Sequence, residues 1–345
     1  MGQRSFFDLE DRLRSLSVLG DPLEALDQAI PWEEFREPLA KIREKERKSN
    51  AGRPPFDLVL MFKVLILQTL YNLADGQVEY QIRDRLSFSR FLGLGIEDQV
   101  PDATTVWRFR ERLRELALTE VLFDRFGDFL AQAGFQAKAG QIVDASIVPV
   151  PIQRNRREEN AQIKGGEVPA DWSEAKREQK DVDARWTKKN GKSFFGYKNH
   201  ISVDAEHKRV RRYTVTPANV HDSQVLAEVL DPDNEDPQVW ADSAYRSEQT
   251  ESDLAGAEYE SHIHEKGQAN RPLDEAAQER NRARSKIRAR VEHVFGYQEN
   301  SLGGKLVRTI GLARAEVKIG LMNLTYNFKR YLVLIRPGTG APAAA

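Results

Sequence analysis

Gly140-Gln141-Ile142-Val143-Asp144-Ala145-Ser146-Ile147-Val148-Pro149 is the stretch on which the fold turns. Before it the apolar residues recur at helical spacing. From Gly140 they run together and are rich in β-branched side chains, and Pro149 and Pro151 close the run. That is the pattern of a buried strand over Gln141–Val150. A carboxylate in the middle of such a strand costs on the order of several kcal/mol unless it is paired or binds a metal. Asp144 therefore needs a partner.

Two more acids stand in comparable settings. Asp242 ends a second apolar run, Val239-Trp240-Ala241-Asp242, and Glu292 lies in a basic helical stretch, Arg284 to Phe295. Two carboxylates at strand positions and one on a helix can converge on one spot, which is the ligand chemistry of a two-magnesium phosphoryl-transfer site. Arg288 lies one turn before Glu292 on the same helix face, placed either to touch a phosphate or to pair with Glu292. Other candidates read more simply. Asp204 precedes Ala205-Glu206-His207 and suits a turn. Asp222 suits a helix cap. His200, His221 and His293 lack the spacing of a zinc site.

The rest of the chain sets bounds. At 345 residues, 40% hydrophobic and 30% charged, it is long enough for two cores. It has no cysteine, which leaves out a disulfide framework and thiolate metal ligands. Met1 to Asp8 lacks the apolar core of a signal peptide, and the longest apolar stretch, Leu58 to Leu73, is broken by Lys63 and Gln68. No membrane role is expected. The net charge of −1 hides a segregation. Thirteen Asp or Glu stand against one Arg between Thr216 and Glu265, and twelve Lys or Arg against three Glu between Arg280 and Arg330. Such blocks suggest a basic face able to meet a phosphate backbone.

Organisation follows from composition shifts. Residues 1–50 read as a polar N-terminal segment, 51–125 as a helical domain with a thickly apolar helix from Phe56 to Leu70, and 126–335 as an α/β domain. Residues 336–345 read as a disordered tail. In the helical domain Asp102 is placed to cap a helix in which apolar anchors alternate with Arg108, Arg110, Arg112 and Arg114, as a helix lying on DNA would need. Residues 152–192 carry eleven Lys or Arg and eight Asp or Glu with few apolar anchors, and read as an exposed basic insertion. A hairpin over Phe194–Asp204 and Arg209–Thr216, a helix from His221 to Leu230, strands over Gln238–Ala244 and Tyr259–His264, and long helices from Asp274 and Ala313 complete the domain. This order is that of a ribonuclease-H-like mixed sheet, preceded here by an all-α, helix-turn-helix-like domain.

Several stretches resemble the DDE transposases of bacterial insertion sequences, specifically the insertion-sequence-five family. They are Asp144-Ala145-Ser146, Phe195 to Asp204, Pro217-Ala218-Asn219-Val220-His221-Asp222, Ala241-Asp242-Ser243-Ala244-Tyr245-Arg246 and Arg290-Val291-Glu292-His293-Val294-Phe295. Upstream, Arg83 to Leu94 and Asp102 to Arg110 resemble the family's N-terminal domain.

The resemblance implies Mg²⁺-dependent DNA cleavage and strand transfer, with two metal ions on Asp144, Asp242 and Glu292 and with Mn²⁺ as a substitute. It implies double-stranded DNA partners (element ends with their terminal inverted repeats, and target DNA), a homo-oligomer in the synaptic complex, and a bacterial cytoplasmic, nucleoid-associated setting. The expected DNA contacts are Arg288, Tyr245, Arg246, Lys198, Arg108, Arg110 and Arg112. One departure stands out. The superfamily's Tyr, Arg, Glu and Lys signature is filled here by Ser285, Arg288, Glu292 and Glu299, so the last cation is missing, with Lys305 and Arg308 as substitutes. A nuclease of the same fold that cuts without joining, and an inactive relic that binds DNA through residues 50–120, are the alternatives.

Overall fold

The first strand forms where the sequence places it. In the computed structural model, which describes residues 8–43, 54–267 and 272–336, β1 spans Gln141–Pro149 and stands in the middle of a six-stranded mixed sheet. The other strands are β2 (Arg185–Lys189), β3 (Lys192–Asp204), β4 (Val210–Pro217), β5 (Gln238–Trp240) and β6 (Glu260–Ser261), in the order β2-β3-β1-β5-β6 with β4 also on β3. β1 runs antiparallel to β3, with Asp144 opposite Ile201, and parallel to β5, with Ile142 opposite Trp240. The tail expected over 336–345 lies outside the described residues from 337 onward.

The residues divide into two units, one running to Phe129 and taking in the chain from Asn327 onward, the other Leu130–Tyr326. The helical unit contains α1 (Asp8–Val18), α2 (Pro22–Ala29), α3 (Arg36–Ala40), α4 (Leu58–Leu70), α5 (Asp75–Asp84), α6 (Leu86–Leu92), α7 (Ala103–Glu115) and most of α8 (Leu118–Gln132). α4 is apolar on every side and accordingly buried on nearly every side, with Asp57 capping it through the Val59 and Leu60 amides. Asp102 caps α7 as expected, accepting from Thr105 N at 2.7 Å. Residues 8–43, within the stretch read as a polar N-terminal segment, carry apolar side chains into this unit. Leu23, Leu26, Trp32, Phe35 and Leu39 are buried in this unit's core, with Phe35 packed on Phe62 at 4.9 Å between ring centroids. Those few apolar residues, spread over short helices, are hidden in the composition by their charged neighbours.

The α/β unit adds α9 (Arg157–Lys164), α10 (Glu174–Gln179), α11 (Leu226–Val229), α12 (Glu248–Gly256), α13 (Glu275–Ser301) and the greater part of α14 (Leu312–Leu334). Residues 152–192, expected as an open insertion, hold α9, α10 and β2. Glu159 ties them together, accepting from Trp172 Nε1 at 2.8 Å and from Lys176 Nζ at 2.5 Å. Buried Ile163 and Trp172 anchor the segment. The helix expected from Asp222 begins as a 3-10 turn capped by His221, and Asp222 lies inside that turn, its side chain turned toward Lys198. β5 is shorter than the expected Gln238–Ala244 because Asp242 accepts from Ala244 N at 2.8 Å and turns the chain. No single helix among the described residues is long and apolar enough to cross a membrane.

Candidate active site

Alternation along β1 directs Asp144 to the same face as Ile142, opposite to Val143, which packs in an apolar cluster with Val225, Val229, Ala241 and Ile263. Asp144 is only 7% exposed. Its Oδ1 accepts from Ala145 N at 2.8 Å and its Oδ2 from Arg288 Nη2 at 3.0 Å. Burial pushes its carboxyl above the ordinary carboxylate range. The Arg288 guanidinium opposes that shift, and the charge of Asp242 adds to it.

Asp242 comes alongside because β1 and β5 are parallel. Ile142 and Trp240 are paired, and each acid follows two residues later. Asp242 is half-buried and anchored by its turn, in which Tyr245 N also donates to the Asp242 carbonyl at 3.2 Å. The third acid is placed differently. Glu292 is exposed on α13, one turn beyond Arg288, and Arg288 is the side chain of that helix that reaches Asp144. Among the described residues no three His, Cys, Asp or Glu side chains are gathered closely enough to hold a metal ion. A guanidinium thus provides the positive charge beside the buried carboxylate, on the longer of the two α13 side chains that share this face.

The expected DNA contacts divide. Tyr245 is 1% exposed in the apolar cluster, and burial, reinforced by the charges of Asp144, Asp222 and Asp242, pushes its hydroxyl well above its ordinary value. It is a core residue. Lys198 donates to Asp222 and to the Val220 carbonyl, both at 2.7 Å. Arg246 donates to the Ile263 carbonyl at 3.3 Å and pairs with Glu251 at 3.4 Å. On α7, Arg110 makes two bonds to Asp75 at 2.7 and 2.8 Å, Arg112 pairs with Glu115 at 2.6 Å, and Arg108 is exposed. Val106, Phe109 and Leu113 bury the inner face of α7, so its arginines are sorted by angle around the helix, which sequence spacing alone did not divide. In the signature helix, Ser285 bonds the Asn281 carbonyl at 2.8 Å, and Glu299, Lys305 and Arg308 are exposed.

Sequence reasoning missed the polar group on the opposite face of β3. His200, wholly buried, bonds Thr216 Oγ1 through Nε2 at 2.9 Å and faces Asp222 at 4.0 Å through Nδ1. Burial depresses its ring to about 4, against the attraction of Asp222 and aided by Lys198. The unfolded chain therefore binds a proton in the window between about 6.5 and 4 that the fold refuses, and stability falls as pH drops through it. Between pH 7 and 5 wild type is expected to lose about 2 kcal/mol from this group, and His200→Asn to lose correspondingly less. Urea midpoints at the two pH values check this, and equal losses in the two proteins would remove His200 as the cause.

Residues 136–328, more than half of the chain, match the family described as Transposase DDE domain, and residues 10–112 match the family described as Transposase domain (DUF772). Among solved structures the chain is similar to a piggyBac transposase synaptic complex with hairpin DNA, at 12% identity and a TM-score of 0.45, covering 91% of this chain and 75% of that one. The carboxylate pair on adjoining parallel strands thus lies inside the matched segment, and the chain belongs to the transposase DDE domain family.

Proposed function

We propose that this transposase cuts DNA at the ends of an element of the insertion-sequence-five type and joins the freed 3′-OH to target DNA. Asp144, Asp242 and Glu292 are the catalytic carboxylates in this reading. The observation that carries it is a nearly buried Asp144 within β1, close enough to Asp242 just past β5 to feel its charge, and bonded by Arg288 from the helix that also bears Glu292. Two buried or half-buried acids side by side serve no packing purpose, and the cation bonded to Asp144, Arg288, is a side chain that can be exchanged for another cation.

The donor set fits a hard divalent ion, because it is oxygen-only and rich in carboxylate. Mg²⁺ bound by the three acids, with Mn²⁺ as a substitute, supplies Lewis acidity toward the attacking and leaving oxygens of a phosphoryl transfer. The protein's own contribution is preorganisation. Ala145 N–H and Arg288 fix the Asp144 carboxylate, and the Ala244 amide fixes Asp242. Glu292, exposed on α13, completes the set from the helix side. Double-stranded DNA is the substrate in this reading, and pairing of two element ends calls for a homo-oligomer.

A labelled duplex carrying an element end tests it, incubated with Mg²⁺ and added target DNA. Nicks at the element boundary followed by joined products are expected, both lost with chelator and with Glu292→Gln. Because Glu292 is exposed, that variant keeps the fold, so full activity in it would remove Glu292 from the site. Nicks without joining would reduce the protein to a nuclease.

A further inference from the structure

The β2–β3 hairpin takes no part in the site described above, and its surface is unusual. Its strands are joined by Asn190-Gly191, both at positive φ (51° and 77°), the two-residue turn whose twist matches that of the strands. Lys188, Lys189 and Lys192 are exposed around it. Across the ladder Lys188 faces Ser193, and Lys189 faces Lys192 directly. Like charges opposite each other destabilise a hairpin, and residues 184–203 supply no Asp or Glu to offset this pair. Trp186 is 52% exposed, on the same face as Lys188, and rests on Phe195 at 5.4 Å between ring centroids.

The two faces of this ribbon therefore both carry cations, Lys188 with Trp186 on one and Lys189 with Lys192 on the other. A two-stranded ribbon fits the major groove of B-DNA, which is about 12 Å wide, and there each face meets a phosphate wall. We infer that the β2–β3 hairpin is a wing that enters the major groove of duplex DNA and binds its phosphates without regard to sequence. Lys188, Lys189 and Lys192 contact the backbone, and Trp186 lies against the sugar edge. This rests on the proposed reading of the protein as a DNA-cutting enzyme and adds a surface remote from its carboxylates. A phosphate between Lys189 and Lys192 turns their mutual repulsion into shared attraction.

The test measures binding of the full chain to a random-sequence duplex by fluorescence anisotropy from 50 to 200 mM salt. It compares wild type with Lys188→Ala/Lys189→Ala/Lys192→Ala, with the same three positions as Arg, and with Trp186→Ala. Three lost phosphate contacts are expected to lower the salt slope by about 2.7, so that wild type loses about 40-fold more affinity over this range than the triple Ala variant. The Arg variant is expected to keep the wild-type slope, and Trp186→Ala to weaken binding without changing it. An unchanged slope in the triple Ala variant overturns the wing, and increased aggregation of that variant would then assign the lysines to protection of a sheet edge. Wild type that cuts and binds DNA while the variants behave alike defeats the wing only. Wild type that neither binds nor cuts DNA defeats the functional reading as well.

Discussion

Asp144→Asn is expected to abolish strand cleavage while leaving the fold at least as stable as before. In the proposed reading, Asp144→Asn removes one metal-binding carboxylate and with it on the order of several kcal/mol of transition-state stabilisation, and each ~1.4 kcal/mol is tenfold, so the rate falls by about 10³ or more. Stability moves the other way. Burial, partly offset by Arg288, places the folded carboxyl above its unfolded value of 3.8. The folded protein therefore holds this proton more tightly than the unfolded chain, and stability is lost as pH rises from 3.8 through the folded value. The uncharged amide removes that cost while its oxygen still accepts from Arg288. Urea midpoints at pH 7 are expected to be equal or higher for the variant, with the difference closing in acid. A purely structural Asp144–Arg288 ion pair would instead lose about 3 kcal/mol when one partner is neutralised, with no effect on cleavage. The two measurements together separate a site that tolerates strain for function from an ordinary buried bridge.

Gly196→Ala carries the largest expected effect on stability. Gly196 lies on β3 opposite Pro149, at a φ of +156°, and a Cβ there would strike the Val148 carbonyl oxygen and come within 3.0 Å of Pro149 Cα and Val150 N. These are backbone atoms of β1, so nothing can rotate aside. Relief requires β3 to lift from the strand that carries Asp144. Overpacking of this kind, added to a backbone conformation that L-residues avoid, costs on the order of 3 kcal/mol or more. A drop of that size in the urea midpoint is expected, along with weakened cleavage, because the β1–β3 register positions the strand that bears Asp144, the proposed catalytic carboxylate. An unchanged midpoint would mean that the close approach of the two strands is not needed.

How much of this was legible in the sequence depends on the range of the interaction. β1 was legible from its continuous apolar run, the β3–β4 hairpin from the alternation along β4, and α4 because it is apolar on all sides. The caps at Asp57, Asp102, Ser247 and Asp274 are local too, each decided by a side chain and an amide two or three residues away. Asn190-Gly191 is as local a hairpin signal, but the composition of residues 152–192 led to their being read as an exposed basic insertion. The charged residues flanking it masked the turn.

The side chains of the site depended on distance across the fold. Asp144 stood out in the sequence because a buried carboxylate is costly anywhere. That Arg288 reaches it, that Glu292 on the same face stays exposed, and that Tyr245 and Lys198 turn inward toward apolar and acidic partners were set by tertiary contacts. Hydrophobic period was enough for β1, the β3–β4 hairpin and the long helices, and the cost of a buried charge was enough to single out Asp144, whereas α9, α10 and β2 went unread in a segment rich in charge. Which cation meets which anion was left to the packed fold, because pairing energies fall off within a few ångströms and groups such as Asp144 and Arg288 meet across 144 residues of chain.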